Sequence, residues 1–231
     1  MATTVAFISR SALTSFFLFG AVSAAALTGD LSAYRKFQFG SDLQAVAKLA
    51  GANPSHATVI HRRPALIEEL EWRPQPLGWS SKTEPVQQVV FSFYNGALFR
   101  IVATYDRYET EGLTSDDIIE AISATYGVAA KPTVVDNVSK EFSGDKEEIL
   151  AQWQDPLYRF DLVRFSYGST FRLVGVMKKL EGPAQAATIE AKRLDDKEAP
   201  QRDAARVASE EQAAGAKLEK ARLANKPKFR P

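Results

Sequence analysis

The chain has 231 residues, of which 45% are hydrophobic and 10% aromatic, enough to bury a substantial core. It contains no cysteine, which excludes disulfides, thiolate catalysis and thiolate metal sites. Basic and acidic residues number 29 and 28, and this balance argues against nucleic acid or an anionic membrane surface as the partner, because both select for clustered positive charge. We therefore expect a folded protein that its core alone holds together.

Residues 1–24 are typical of a secretory signal peptide. Arg10 precedes an apolar run from about Ser11 to Val22, and small residues follow up to Ala24, where we expect cleavage. The run is about a dozen residues long, too short to cross the roughly 30 Å hydrocarbon core of a bilayer. The sequence therefore predicts a periplasmic or secreted protein, with no stable membrane insertion once the signal is removed.

Residues 31–110 are predicted to form the first of two α+β units. Ser41 or Asp42 starts a short amphipathic helix that ends at Gly51. Apolar and polar residues then alternate, which predicts two short strands and a long hairpin that turns at Asn95-Gly96. This order of elements predicts an antiparallel sheet with a helix packed on one face.

Residues 111–180 repeat this order. Thr114 or Ser115 starts the helix, Gly127 ends it, and the second hairpin turns around Gly168. The stretch NGALFRIV of the first hairpin returns as YGSTFRLV in the second. We interpret the two units as tandem copies of a helix-plus-antiparallel-hairpin design that form a sheet with the helices on one face.

Residues 181–231 differ in composition, being rich in Ala, Glu, Lys and Arg. Large apolar residues are sparse, and Pro200 and Gly215 interrupt the apolar seam that the few present could form, namely Ile189, Leu194, Val207, Leu218 and Leu223. We expect a charged tail, helical or disordered, that stays in solvent.

The proline-rich connection after Trp72 is the strongest candidate binding element. We expect Trp72 to close a strand against the core, which leaves Trp79 with Arg73 as an exposed anchor pair of the kind enriched at interfaces. Tyr105 and Tyr108, between the two units, form a smaller cluster of the same type. These four residues, Trp79, Arg73, Tyr105 and Tyr108, are predicted to contact a partner.

Arg100 and Arg172 occupy equivalent positions on the two hairpins. A ladder of arginines on one sheet face suits an anionic partner, because guanidinium groups bind carboxylates through two hydrogen bonds. The alternative is pairing within the fold, for example with Asp161 on a neighbouring strand. Both roles remain open at this point.

No residue pattern indicates catalysis, a metal or a cofactor. The two histidines, His56 and His61, are expected on opposite faces of a strand, which suits no joint metal site. Neither a serine-hydrolase elbow nor a glycine-rich phosphate loop occurs. We predict a non-catalytic, exported interaction module of the bacterial cell envelope with a protein partner. The alternative is a small-molecule-binding protein or a hydrolytic enzyme with a cleft between the units.

The two helix motifs FGSDLQAVAKLAG and TSDDIIEAISATYG, with the two G-x-x-F-R-[IL]-V hairpins, carry a resemblance that covers roughly residues 34–179. The chain resembles the tandem-repeat fold shared by the beta-lactamase inhibitor protein and the small outer-membrane lipoprotein of the barrel-assembly machinery. The resemblance implies a protein that works by contacting other proteins.

Overall fold

The computed structural model describes residues 29–74, 85–132, 147–165, 170–228 and 230. Three sequence-based expectations, the signal peptide, Trp79 and the turn at Gly168, lie outside these residues.

The fold is α+β, as predicted, with a large antiparallel sheet, a small two-stranded sheet and, among the described residues, three α-helices. The strands are β1 (Ala33–Tyr34), β2 (Phe37–Gln38), β3 (Thr58–His61), β4 (Ile67–Trp72), β5 (Val86–Tyr94), β6 (Ala97–Tyr105), β7 (Glu147–Gln154), β8 (Tyr158–Phe165) and β9 (Phe171–Met177). The helices are α1 (Leu43–Ala50), α2 (Ser115–Tyr126) and α3 (Lys178–Asn225).

Both short helices begin and end where the sequence predicts. The Asp42 carboxylate accepts a hydrogen bond from the Ala45 N–H at 2.7 Å, and α1 ends at Gly51 in the left-handed conformation, with φ of 67°. At the start of α2, Thr114 and Asp117 form a reciprocal capping box. These caps satisfy backbone groups that the first helical turns would leave unpaired.

The first hairpin turns at Asn95 and Gly96, both of which have positive φ, at 47° and 82°. Two such residues in succession define the tight turn whose twist matches that of antiparallel strands. The prediction of this turn from the Asn-Gly pair is therefore confirmed.

The large sheet has the strand order β3-β4-β5-β6-β9-β8-β7. Strands β6 and β9, the last of each predicted unit, meet at the centre of the sheet and run antiparallel. Val102 lies directly opposite Val174 in this pairing. The sheet is therefore continuous across the boundary between the two predicted units.

Helices α1 and α2 cover the same face of the sheet, which we call the core face. Val46 of α1 and Ile122 of α2 belong to one cluster of buried side chains that also includes Phe91 and Leu173 of the sheet. Gly175 of β9 lies on this face directly opposite Phe160 of β8, and a Cβ atom at Gly175 would be 2.4 Å from the Phe160 ring. The absence of a side chain lets Phe160 pack close to the sheet.

The third helix lies on the opposite face, and its first part is docked on the sheet, so the expectation that the whole tail stays in solvent is wrong. Ala187 of α3 packs against Ala65, Ile67 and Tyr94, and Ala184 and Ala191 are also buried. Alanine has a small side chain, and its burial lets the helix backbone approach the sheet without large apolar residues. Low content of large apolar residues in this segment therefore does not prevent it from packing.

The predicted tail is one continuous helix rather than an interrupted one. It runs through Pro200 and Gly215, although Pro200 has no N–H to donate to the carbonyl of Asp196. From Pro200 to Lys228 every residue is exposed, as expected for a solvated segment. The helix thus has a docked first part and an exposed second part.

Candidate binding face of the sheet

The face of the sheet opposite α1 and α2, part of which the start of α3 covers, carries the candidate binding surface. A row of cross-strand partners runs across it from Glu71 through Val90 and Val102 to Val174. Side chains directly opposite each other on neighbouring strands share a face, so these four side chains lie side by side. The three valines are only half-buried. They form an apolar strip at the middle of the sheet.

Arginines flank this strip. Arg100 pairs with Ser92 and Val176 in the sheet, and its side chain is exposed. On the other flank, the guanidinium of Arg172 lies 4.1 Å from the centre of the Phe165 ring, within the range of a cation–π contact. The structure therefore brings the two predicted ladder arginines to one face, with the valine strip between them.

Arg73 lies at the margin of the same surface, directly after β4. Its Nε donates to the Glu71 carboxylate at 2.6 Å, and 66% of its side chain is exposed. Its predicted companion, Trp79, is outside the described residues. We call the surface formed by Arg73, Val90, Arg100, Val102, Arg172 and Val174 the open face.

A polar cluster next to the open face attaches α3 to the sheet. Arg159 of β8 donates to Asp161 at 2.9 Å and to Glu181 of α3 at 2.6 Å. The Gln152 amide donates to the other Asp161 oxygen at 2.8 Å. Asp161 and Gln152 are both buried. The cluster, which we call the α3 clamp, therefore satisfies the polar groups that the helix covers.

The pKa values within the α3 clamp shift in the same direction for different reasons. Burial raises the pKa of the Asp161 carboxyl, and the hydrogen bond from Gln152 and the charge of Arg159 only partly oppose this effect. Burial alone would lower the pKa of Arg159, but the carboxylates of Asp161 and Glu181 outweigh it and leave the pKa raised. Arg159 therefore stays charged beside a carboxylate that burial disfavours.

The alternative role that the sequence suggested for Asp161 takes a different form in the structure. Asp161 does form an ion pair within the fold, but its partner is Arg159, two residues earlier on the same strand. Alternate residues of a strand point to the same side, which explains how Arg159 reaches Asp161. This pair was missed in the sequence, although the i, i+2 spacing in a predicted strand is a usable signal.

The structure separates the two tyrosines that the sequence grouped together. Tyr105 is partly buried and packs against the main core on the opposite side from Val102 and Thr104, and burial raises its pKa. Tyr108 is 77% exposed, in a turn where the Asp106 carboxylate accepts a hydrogen bond from its backbone N–H at 2.7 Å. Neither tyrosine belongs to the open face.

Other predicted features have plain structural positions. His56 ends the short 3₁₀ turn Pro54–His56 and precedes the strand, whereas His61 is half-buried at the end of β3, so the expectation of both in one strand is wrong. Within the described ranges, no three His, Cys, Asp or Glu side chains are grouped so that they could hold a metal ion. Bilayer-spanning length and hydropathy do not coincide in any helix of the described residues.

Comparison of the chain with known proteins finds no matching family model, no matching curated protein and no matching solved structure.

Proposed function

We propose that this chain is an exported, non-catalytic interaction module of the bacterial cell envelope that binds a protein partner through the open face. The observation that carries the proposal is the half-buried strip of Val90, Val102 and Val174 between Arg100 and Arg172. Protein interfaces combine an apolar centre with arginine and a polar rim. The open face has this arrangement on a rigid sheet.

The chemistry of the open face favours a partner segment that carries both apolar and acidic side chains. The valines supply apolar area that is removed from water on binding, which stabilises a complex by about 25 cal/mol per Å². Arg100 supplies an exposed guanidinium group that binds carboxylates. Arg172 is half-buried over the Phe165 ring and Arg73 pairs with Glu71, so both contribute less to this attraction.

Export is part of the proposal, and residues 1–24 support it. A single basic residue, a short apolar run and small residues before Ala24 follow the order of a secretory signal. A mature chain without cysteine suits an oxidising compartment, because it has no thiol to oxidise.

We also propose that residues 31–110 and 111–180 are copies of one unit. The helix caps Asp42 and Thr114 are 72 residues apart, the difference between 42 and 114, and Val102 and Val174 have the same offset. In the pairing of β6 with β9, the equivalent residues Val102 and Val174 thus lie directly opposite each other. This arrangement supports the resemblance to the tandem-repeat fold of the beta-lactamase inhibitor protein and the barrel-assembly lipoprotein, which stays a proposal.

Replacing Arg100 with glutamate should reduce capture of the partner from envelope extract at least about tenfold, equivalent to about 1.4 kcal/mol. The change reverses a charge at an exposed position beside the valine strip and leaves the core intact. Arg62→Glu is the matched control, because Arg62 is also exposed but lies beyond the end of β3. Pull-down with quantitative mass spectrometry measures the effect.

A Trp79→Ala variant in the same experiment tests the proline-rich connection. Loss of the partner only in Arg100→Glu assigns binding to the open face, and loss only in Trp79→Ala assigns it to the connection instead. If wild type and all three variants retain the same proteins in equal amounts, the proposed binding surface is wrong. Circular dichroism of each variant confirms that the fold is unchanged.

A further inference from the structure

The end of α3 and the turn that follows it carry clustered positive charge. Residues 217–228 contain one acidic residue, Glu219, and five basic ones, which gives a net charge of +4: Lys217, Lys220, Arg222, Lys226 and Lys228. Every residue of this segment is exposed. We call residues 217–228 the cationic segment. The even charge of the whole chain argues against an anionic surface as the partner, but it is an average over a charge that is unevenly distributed.

Most of this charge has no counter-charge within the fold. Earlier in the exposed part of α3, Arg206 pairs with Glu210 at 3.0 Å. In the cationic segment, Arg222 pairs with Glu219 at 2.7 Å. Among the residues that the structure describes, no carboxylate forms an ion pair with the other four cations, Lys217, Lys220, Lys226 and Lys228. Four ammonium groups are therefore available to an external anion.

The helix dipole accounts for only part of this cluster. Basic side chains in the last turn of a helix are favoured by the dipole, and Arg222 lies in the last turn of α3. Lys217 and Lys220 precede that turn, and residues three apart on a helix are neighbours whose like charges repel. An anionic partner would offset this repulsion.

The cations lie on several sides of the helix. At about 100° per residue, Lys217 and Lys220 are about 60° apart, and Arg222 is about 140° and 160° from them. No single side of the segment holds the charge, so the arrangement does not fit one carboxylate on a partner protein. It fits an extended surface with many anionic groups that can gather around the helix, as mobile phospholipid headgroups do.

Two leucines within the cationic segment favour lipid over other polyanions. Leu218 and Leu223 are 72% and 60% exposed. At the boundary between headgroups and acyl chains, such side chains are removed from water while neighbouring lysines extend their ammonium groups to the headgroups. The phosphate backbone of a nucleic acid offers leucine no comparable apolar contact.

We propose that the cationic segment binds the surface of a membrane that contains anionic phospholipids, with its basic side chains among the headgroups and Leu218 and Leu223 at the acyl boundary. The segment is about 18 Å long as a helix, which is shorter than the roughly 30 Å hydrocarbon core, so the contact is peripheral. The cationic segment and the open face share no residue. A chain held on a membrane in this way can still bind a protein partner.

Cosedimentation of residues 25–231 with lipid vesicles tests the proposal. We expect binding to vesicles of equal parts phosphatidylglycerol and phosphatidylcholine to be at least about tenfold tighter than to phosphatidylcholine alone. Salt at about 1 M, where the Debye length is about 3 Å, should release the protein. Equal binding to both kinds of vesicle, or binding to the anionic vesicles that persists at high salt, would overturn the proposal.

Two variants with the same change of charge locate the contact. Lys217→Gln/Lys220→Gln/Lys226→Gln/Lys228→Gln should weaken binding to the anionic vesicles at least about tenfold, and glutamine preserves helix propensity. The matched control replaces four exposed lysines elsewhere with glutamine and should bind within about twofold of wild type: Lys48, Lys131, Lys192 and Lys197. Equal losses in the two variants would contradict a contact at the cationic segment.

A third variant separates lipid from nucleic acid as the partner. Leu218→Gln/Leu223→Gln should weaken binding to the anionic vesicles at least about threefold, because less apolar area is removed from water. Unchanged vesicle binding by this variant, or tighter binding of wild type to a DNA duplex than to the anionic vesicles at the same salt, would overturn the assignment to lipid. These measurements use purified components, so their outcome is independent of partner capture through Arg100.

Discussion

Replacing Trp153 with alanine is expected to lower the free energy of unfolding by about 3–5 kcal/mol. The side chain is 1% exposed and belongs to the main core. Its indole N–H also donates to the Gly127 carbonyl at 2.9 Å, which ties the end of α2 to β7. The substitution thus creates a cavity and leaves a backbone carbonyl at the helix end without this donor. Urea unfolding followed by circular dichroism measures the loss.

Trp72→Ala is the internal comparison for this prediction. Trp72 also ends a strand and packs against Phe37, with ring centres 5.3 Å apart, but it is only half-buried. We expect a smaller loss of stability than at Trp153, since part of the ring area is already in water. Equal losses at the two positions would contradict the expectation that the fully buried ring of Trp153 contributes more to stability than the half-buried ring of Trp72.

Replacing Arg159 with alanine is expected to lower the free energy of unfolding by about 2–3 kcal/mol at neutral pH. The change removes the charged partner of Asp161, whose side chain is only 10% exposed, and it also releases Glu181 of α3. Breaking a fully buried pair costs about 3–5 kcal/mol, and we expect less because 23% of the Arg159 side chain is exposed. Unfolding in urea and proteolysis of α3 both report the change.

The effect of Arg159→Ala should shrink as the pH falls. Burial already raises the pKa of Asp161 above 3.8 in the folded protein, and loss of Arg159 raises it further. Between the unfolded and folded pKa values the folded state binds more protons, so stability rises as the pH falls through this window. The penalty should therefore be smaller at about pH 4.5 than at about pH 7.

Asp161→Asn is the control for this argument, because asparagine removes the buried charge while keeping a hydrogen-bonding group beside Gln152. We expect a smaller loss at neutral pH than in Arg159→Ala, and no matching pH dependence. If Arg159→Ala has the same penalty at both pH values, the buried carboxylate is not the cause of its instability.

Local elements follow directly from the sequence. Asp42 and Gly51 delimit α1, Thr114 starts α2, and the Asn95-Gly96 pair forms the turn, because each depends on backbone conformations and hydrogen bonds within a few residues. The α+β class follows from the change of apolar period after each helix. These features need no information about distant parts of the chain.

The position of α3 could not be predicted in the same way. Its docked residues are alanines such as Ala184, Ala187 and Ala191, which carry almost no hydrophobic signal in a sequence. Their burial depends on the shape of the sheet surface beneath them. The α3 clamp could not be predicted from the sequence either, since Arg159 and Glu181 meet only after the sheet has formed.

The candidate site was predicted in part. Arg100 and Arg172 share a face because they occupy the same offset in two strands that pair at Val102 and Val174. Tyr105 follows Ile101 and Ala103 at alternate positions, so a strict period of two already assigns it to the core side. The valine strip was missed because three valines on three strands become neighbours only through the strand order.

The most direct test of the account is a pair of cysteines at Val102 and Val174. The two halves of the sheet join where Val102 pairs with Val174. Antiparallel partners have Cα atoms about 4.5–5.5 Å apart, a separation that a disulfide can bridge. Wild type has no cysteine, so any bond reports this contact alone. Mild oxidation of Val102→Cys/Val174→Cys should give an intramolecular disulfide, seen by mass spectrometry, while the diagonal Val102→Cys/Arg172→Cys pair should form it much more slowly. No bond at 102–174, or faster closure of the diagonal pair, would contradict the central pairing of β6 with β9.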